Sequence, residues 1–125
     1  MAEMEFFPQR PESHPTIYAY EFVGVASHQG YIKVGYTERD VESRVKEQVH
    51  TAAVPYRILG QWSAMKNDGS CFTDHDVHAV LKAKGKQQLN AGEDRNEWFK
   101  CTLNDVKAAV VAVQTGAENV EERTQ

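Results

Sequence analysis

The stretch Tyr31-Ile-Lys-Val-Gly-Tyr-Thr37, together with the segment 40–49 that follows it, decides the fold of this chain. The first part is rich in β-branched and aromatic residues, which is typical of a strand, and its glycine predicts a turn at the strand's end. The second part repeats apolar residues at a spacing of four, and Asp40 stands where a helix N-cap is expected. The sequence therefore predicts a strand, a glycine turn and an amphipathic helix that ends near His50.

The predicted helix carries an arginine at the edge of its apolar stripe. The stripe is formed by the valines of the segment, Val41, Val45 and Val49. On a helix with about 3.6 residues per turn, Arg44 lies about 60° from Val41. One explanation is a side chain that extends to solvent or pairs with Glu42 or Glu47, and the other is a functional contact. The helix geometry does not decide between them.

The residues before this strand predict a partner for it. Residues 16–23 read Thr-Ile-Tyr-Ala-Tyr-Glu-Phe-Val, which is typical of a strand with Tyr18, Tyr20 and Phe22 on one face. Residues 27–30 supply a turn, so the two strands form an antiparallel hairpin with a fairly long tip. Tyr18 should then lie close to the end of the second strand.

The second half of the chain predicts two further strands and two further helices. Residues 56–64 predict a third strand, and the pair Thr73 and Asp76 predicts a capped helix that ends near Gly85. Residues 86–95 predict a polar loop and residues 96–101 a short final strand, after which Asn104 is the expected N-cap of a third helix. These elements indicate an α/β (α+β) fold, with a small central antiparallel β-sheet of about three to four strands flanked by about three helices.

Length and composition indicate one globular domain. The chain has 125 residues, 41% of them hydrophobic and 26% charged, which fits a modest single core. We expect an extended arm at 1–15, a domain at 16–114 and a linker or disordered tail at 115–125. No apolar run approaches the ~20 residues of a membrane helix and no signal peptide opens the chain, so we expect a soluble, cytoplasmic protein without a membrane partner. Cys71 and Cys101 are expected to be small buried side chains rather than parts of a disulfide framework or zinc site.

The net charge of −4 argues at first against a nucleic-acid partner, because phosphate binding uses clustered lysines and arginines. The excess lies in the tails, since residues 1–14 and 115–125 each hold three glutamates against one arginine. The central region is therefore neutral, which is compatible with a small nucleic-acid enzyme. The acidic net charge favours a different reading, a protein-interaction domain with no nucleic-acid role.

The second predicted helix carries acidic and imidazole side chains on one face. Asp74, His78 and Leu81 share this face because positions i, i+4 and i+7 align. An acid in a first helical turn also complements the helix dipole, and His78 fits equally a partly buried histidine bonded to backbone. Clusters of His and Cys typical of zinc are missing. A hard ion held by one carboxylate and water is the metal site that the sequence admits.

Five short motifs follow one another along the chain in an order that can be compared with known families. They are Thr16-Ile-Tyr18, Lys33-Val-Gly35, Arg44, Asp74-x-x-Val77-His78 and Glu97-Trp-Phe99. This order resembles the GIY-YIG nucleases, and is most similar to the phage-type branch whose second motif reads Lys-Ile-Gly-Tyr-Thr. The resemblance extends over nearly the whole predicted domain. It implies a metal-dependent phosphodiesterase that acts on DNA.

The resemblance also implies a role for each matching residue. Tyr18 would position or deprotonate the attacking water, and Gly35 would let the backbone turn tightly toward the site. Arg44 would contact the scissile phosphate, for which its planar guanidinium is well suited. Asp74 matches the single acidic metal ligand, usually glutamate, and would hold one Mg²⁺ (or Mn²⁺) ion.

The chain departs from the family pattern in its first two motifs and at the metal ligand. Thr16 replaces the first glycine, and Lys33 stands where many members have the second tyrosine. Lys33 would contact phosphate or lower the pKa of a neighbouring tyrosine, with Tyr36 supplying the second hydroxyl. Aspartate at 74 is one methylene shorter than glutamate, which leaves the metal distance open.

Two further residues follow the phage-type pattern and would lie at the rim of the site. These are His78 and Glu97. Their alternatives are structural: His78 would pack against the sheet, and Glu97 would pair with Lys100 or Arg95.

Aromatic and basic residues in the last third of the chain have two interpretations each. Trp98 and Phe99 are expected in the core, with base stacking as the alternative. The basic run Lys82, Lys84 and Lys86 is either a solvated face or a contact to DNA phosphates.

The leading hypothesis is thus a metal-dependent DNA endonuclease domain. The departures at Lys33 and Asp74 favour an alternative, a catalytically weak or inactive DNA-binding module that retains the nuclease fold. Domains of this branch are often joined to larger proteins, so a covalently linked restriction-type helicase or ATPase region is an expected partner. The acidic, aperiodic end of the chain is typical of a linker from an N-terminal domain into such a region.

Overall fold

A computed structural model describes residues 14–50, 53–89 and 97–116 of the chain. The strands are β1 (Thr16–Phe22), β2 (Tyr31–Thr37), β3 (Tyr56–Ser63), β4 (Gln87–Gln88) and β5 (Trp98–Lys100). The helices are α1 (Val41–His50), α2 (Asp74–Ala83) and α3 (Leu103–Thr115), with a short 3₁₀ turn at Ala26–His28. The predicted α/β (α+β) class is confirmed. The predicted arm and tail fall almost entirely outside the described residues.

The strands form one antiparallel sheet in the order β3-β1-β2-β5-β4. The predicted hairpin of β1 and β2 is at its centre, with Tyr18 opposite Gly35. The sheet has five strands, and the prediction of three to four strands missed β4. Gln87 and Gln88 show no apolar alternation, so a polar loop was expected there, but both residues pair with β5.

Both faces of the sheet are covered, because successive side chains of β1 enter two different apolar clusters. Ile17 and Ala19 join the cluster beneath α2 and α3, which we call the α2/α3 face. Tyr18 and Tyr20 join the cluster beneath α1, the α1 face. The valines predicted for the stripe of α1 are buried on this second face, as expected: Val41, Val45 and Val49.

Side chains cap the helices, and one predicted cap was wrong. The carboxylate of Asp40 accepts a hydrogen bond from the backbone N–H of Ser43 at 3.0 Å, which confirms the start of α1. The predicted capping box of Thr73 and Asp76 is present at α2. At α3 the cap is Thr102 with Asp105 and not Asn104, which lies inside the first turn. Thr102 and Asp105 are three positions apart, the same capping-box spacing that predicts the start of α2 at Thr73 and Asp76.

The end of β2 and the burial of the two cysteines differ from what the sequence predicts. β2 continues through Gly35 to Thr37 and does not end in a glycine turn. Cys71 is exposed and Cys101 is half-buried, so the two thiols are not buried core residues. Burial raises the pKa of the Cys101 thiol to about 11.

Among the described residues, no helix is long and apolar enough to cross a membrane.

Candidate active site

The centre of the candidate site is the ring of Tyr18, which lies directly over Gly35 of the neighbouring strand. A Cβ atom added at Gly35 would lie 2.8 Å from Cε1 of Tyr18 and would overlap Cζ and the hydroxyl oxygen. Any larger residue would push the tyrosine away. The motif glycine is thus needed for the close approach of a ring, and not for the tight turn expected from the sequence.

The hydroxyl of Tyr18 is held by Gln48, a residue that the sequence pattern did not predict. Gln48 donates a hydrogen bond from Nε2 to this oxygen at 2.8 Å. Gln48 lies four residues after Arg44, so the two side chains share one face of α1. That spacing was the available signal, but an amide on a helix face is too common to be singled out.

Three predicted site residues lie within electrostatic range of the same hydroxyl. Burial raises the pKa of Tyr18, and the hydrogen bond from Gln48 and the positive charge of Arg44 oppose this rise. The negative charges of Glu97 and Asp74 add to it. Residues from α1, from α2 and from the position before β5 therefore act on one oxygen atom of β1, although they are far apart in the sequence.

Arg44 forms a long ion pair with Glu47 and is partly exposed to solvent. Its side chain is 38% exposed, and Nη1 lies 3.4 Å from Oε1 of Glu47. Glu47 is held more closely by Arg39, with two hydrogen bonds of 2.8 and 3.1 Å. These contacts lower the pKa of Glu47, with Arg39 the larger cause. The predicted pairing with Glu47 is present, but it is the weaker of the two and leaves Arg44 able to turn toward an anion.

Lys33 is buried beside the candidate site. Its ammonium nitrogen lies 3.3 Å from Oε1 of Glu97, and the two side chains are 2% and 37% exposed. The same nitrogen lies 5.8 Å from the centroid of the Tyr20 ring, within cation–π range. For Glu97 the expected structural partners were Lys100 and Arg95. The structure pairs it instead with Lys33, and Arg95 lies outside the described residues.

His78 and Asp74 lie on the buried side of α2. The pairing of β2 with β5 ends at Lys33 opposite Trp98, and Nε2 of His78 contacts the carbonyl oxygen of the next residue, Val34, at 2.8 Å. A carbonyl accepts, so Nε2 is the protonated nitrogen. Asp74 Oδ2 is 3.7 Å from the same nitrogen. Burial lowers the pKa of His78, so a neutral imidazole fills this place beside the strand.

Tyr36 lies apart from Tyr18. It packs against the α2/α3 face, whereas Tyr18 belongs to the α1 face. Its hydroxyl donates a hydrogen bond to Oε2 of Glu38 at 2.9 Å. Burial and then Glu38 raise the pKa of Tyr36 to about 12, with a smaller effect of Asp74. The two tyrosines expected in one site thus lie on opposite faces of the sheet. The negative charge of Asp74 contributes to raising the pKa of both.

The remaining candidates have more ordinary surroundings. Trp98 and Phe99 are buried, as expected for core residues. Lys86 pairs with Asp105 of α3, its nitrogen lying 3.4 Å from Oδ2. Lys82 and Lys84 are exposed at the end of α2, which fits either of their two interpretations.

The donor set fits a hard divalent ion better than a soft one. The described residues contain no group of three or more His, Cys, Asp or Glu side chains able to enclose a metal. Asp74 offers carboxylate oxygens, and its neighbour His78 is neutral and uses its proton on Val34. Such a carboxylate suits Mg²⁺, which keeps several waters and takes one or two protein ligands together with phosphate.

Comparison with protein families gives a match over most of the chain. The T5orf172 domain family matches residues 16–114, most of the chain and all of its described strands. No curated protein and no solved structure matches the chain significantly.

Proposed function

The chain belongs to the T5orf172 domain family, which is related to nuclease-type folds and associated with nucleic acids, and from this premise we propose that it is a metal-dependent DNA endonuclease domain. The reaction is hydrolysis of a phosphodiester bond. Water supplies the oxygen that bonds to phosphorus, one P–O ester bond breaks, and the departing oxygen takes a proton.

The observation that carries the proposal is the convergence on the Tyr18 hydroxyl. Arg44, Glu97 and Asp74 come from three different elements, yet each perturbs the pKa of this group. A buried tyrosine hydroxyl that is influenced by an arginine and two carboxylates from different parts of the chain is typical of a functional site. These residue types meet the needs of phosphoryl transfer, which are positioning and charge stabilisation.

Each residue has a role that follows from its surroundings. Tyr18 is protonated at rest because burial raises its pKa, so positioning the attacking water is its first function. Arg44 is half-exposed on α1 and would present its guanidinium to the phosphate, where negative charge grows toward the transition state. Lys33 is held by Glu97 and would act as a fixed positive charge beneath the site. Asp74 would hold the Mg²⁺ or Mn²⁺, which when bound supplies Lewis-acid stabilisation of the phosphate.

A second candidate is the DNA-binding module without turnover. The observation that favours it is the state of the tyrosines, since the pKa of Tyr18 is raised and that of Tyr36 is about 12. Neither group is a phenolate at neutral pH. Under this alternative Arg44 binds phosphate, but no group removes the proton of water.

The deciding experiment is nicking of supercoiled plasmid by the purified chain, with Mg²⁺ or Mn²⁺ against chelator. The matched variants are Arg44→Ala and Arg57→Ala, since Arg57 is 63% exposed and pairs with Glu21 away from Tyr18. Both variants lose one positive charge. We expect metal-dependent nicking that falls at least about 100-fold in Arg44→Ala, by analogy with loss of a transition-state donor, and stays near wild type in Arg57→Ala.

Other outcomes separate the candidates. DNA binding by the wild type with no nicking at any metal concentration favours the binding module. A fully active Arg44→Ala protein contradicts the site, and no DNA binding under low salt contradicts both candidates in favour of a protein-interaction domain. The covalently linked helicase or ATPase region rests on the resemblance alone and stays a prediction.

A further inference from the structure

Gln48 joins the hydroxyl groups of two stacked tyrosines. Its Nε2 donates to the oxygen of Tyr18 at 2.8 Å, and its Oε1 accepts from the hydroxyl of Tyr20 at 3.0 Å. The two rings lie nearly parallel, with centroids 6.1 Å apart and an interplanar angle of 11°. Both rings belong to the same buried cluster on the α1 face. The amide is thus held at both ends.

The direction of these two hydrogen bonds has a chemical consequence. In this arrangement the Tyr20 hydroxyl donates its proton to Oε1, which can only accept, and the amide nitrogen faces Tyr18 and donates to it. The Tyr18 oxygen is an acceptor toward Gln48, and its own proton is directed elsewhere.

We propose that Gln48, with Tyr20 fixing its orientation, is a positioning residue that presents Tyr18 to the attacking water and stabilises its ionised form. This inference rests on the proposed nuclease function. A donor to a phenol oxygen favours the phenolate, because the hydrogen bond strengthens when the oxygen becomes charged. The amide itself does not titrate, so it offers the same donor at every pH.

The position of Gln48 on α1 ties it to the phosphate contact. Gln48 follows Arg44 by one helical turn, so one rigid helix face carries both the proposed phosphate ligand and the group that orients Tyr18. The charged groups that act on Tyr18 are Arg44 from α1, Asp74 from α2 and Glu97 before β5. The two carboxylates oppose ionisation. Gln48 and Arg44 both favour it, and α1 supplies both.

The test measures the pKa of Tyr18 directly, without relying on cleavage. Tyrosine labelled with ¹³C at Cζ is titrated by NMR, and the Tyr18 signal is assigned as the one missing in Tyr18→Phe. The variants are Gln48→Met, which keeps side-chain length and removes both polar contacts, Gln48→Glu, which replaces the donor by a carboxylate, and Tyr20→Phe. Gln29→Met, an exposed position at the hairpin tip, is the matched control.

We expect the pKa of Tyr18 to rise in Gln48→Met, to rise further in Gln48→Glu and to rise least in Tyr20→Phe. Gln29→Met should leave it unchanged. Nicking should fall about tenfold in Gln48→Met, the factor that corresponds to one hydrogen bond to a charged group. The loss should shrink at higher pH, where more of Tyr18 ionises, and this pH dependence is not expected from a merely structural defect.

The two possible failures can be told apart. If the wild type does not nick DNA but the pKa of Tyr18 rises as described, the nuclease function fails while the role of Gln48 as donor to Tyr18 holds. An unchanged pKa in Gln48→Met and Gln48→Glu overturns the inference, whether or not DNA is cut. If Gln48→Met does not fold, as judged by circular dichroism, Tyr20→Phe decides, since it removes a single oxygen atom.

Discussion

Replacing Gly35 by alanine tests the geometry at the centre of the site. The added Cβ would lie 2.8 Å from Cε1 of Tyr18 and would overlap Cζ and the hydroxyl oxygen. Ordinary carbon contacts are about 3.5–4.0 Å, so the ring must move by about 1 Å or more. It has little room, because Tyr18 is buried and stacked on Tyr20. The hydrogen bond from Gln48 would lengthen or break with this movement.

The cost in stability follows from these contacts. Overpacking a well-filled core destabilises by about 1–3 kcal/mol, and the lost hydrogen bond adds about 1 kcal/mol. We therefore expect Gly35→Ala to lower the free energy of unfolding by about 2–4 kcal/mol, or the melting temperature by about 10–20 °C for a domain of roughly 100 residues. Cleavage should fall by about 100-fold, because a displacement of about 1 Å is enough for that loss.

The assay is urea unfolding followed by circular dichroism, with Gly60→Ala as the matched control. A Cβ at Gly60 would lie 3.0 Å from Cη2 and Cζ2 of Trp62, which is half-buried on the edge strand β3. That ring can rotate outward, so we expect a loss of about 1 kcal/mol or less. In a Tyr18→Ala background, Gly35→Ala should cost less than about 0.5 kcal/mol. Equal losses for Gly35→Ala with and without the Tyr18 ring would refute the steric explanation.

Three further predictions concern the surroundings of the site. The pKa of His78 in the folded protein is lowered below its ordinary 6.5. The unfolded chain therefore binds a proton more readily than the folded protein, and the free energy of unfolding should fall as the pH drops below about 6.5. In guanidine unfolding, the decrease in this free energy from pH 7 to pH 5.5 should be smaller for His78→Gln than for the wild type. Glu97→Gln should cost about 1–2 kcal/mol, because Lys33 keeps its buried charge without this carboxylate, and adding Lys33→Met should recover part of that loss in the same unfolding assay. Thr102→Ala should cost about 1 kcal/mol as the true cap of α3, whereas Asn104→Ala should cost less than about 0.5 kcal/mol; a reversed order in thermal melts would contradict the cap assignment.

Local rules predicted most of the fold. The start of α1 at Asp40 and the capping box at Thr73 depend on residues within about five positions of one another, and the hairpin on two strands that follow one another in the sequence, so all three were predicted correctly. β4 could not be read in this way, because Gln87 and Gln88 form a strand only through pairing with β5. Asparagine favours the N-cap position, which is why the sequence predicts a cap at Asn104, but Thr102 with Asp105 satisfies two backbone groups at once.

The candidate site was predicted by residue order and not by contacts. The order of the motifs along the chain indicated Tyr18 and Arg44, and the structure brings these two residues near each other. Which side chains pair with one another depends on the folded geometry, which motif order does not give. Glu97 was expected to pair with a neighbour in the sequence, and instead it reaches Lys33 across the pairing of β2 with β5. Gln48 was missed for the same reason, since its partners lie about thirty residues earlier in the chain.

The balance of charges around Tyr18 indicates what a bound phosphodiester would require. Arg44 and the Lys33 that pairs with Glu97 contribute two positive charges to the candidate site, and Asp74 and Glu97 two negative ones, so the charges of these four side chains sum to zero. A phosphodiester adds one negative charge, and attack by hydroxide or ionised water adds a second in the transition state. Two uncompensated negative charges beside a buried tyrosine would raise its pKa further and hold it in the protonated form. A divalent cation held by Asp74, as proposed, would restore neutrality with a single protein ligand, and we therefore expect chelation to abolish cleavage more completely than it weakens DNA binding.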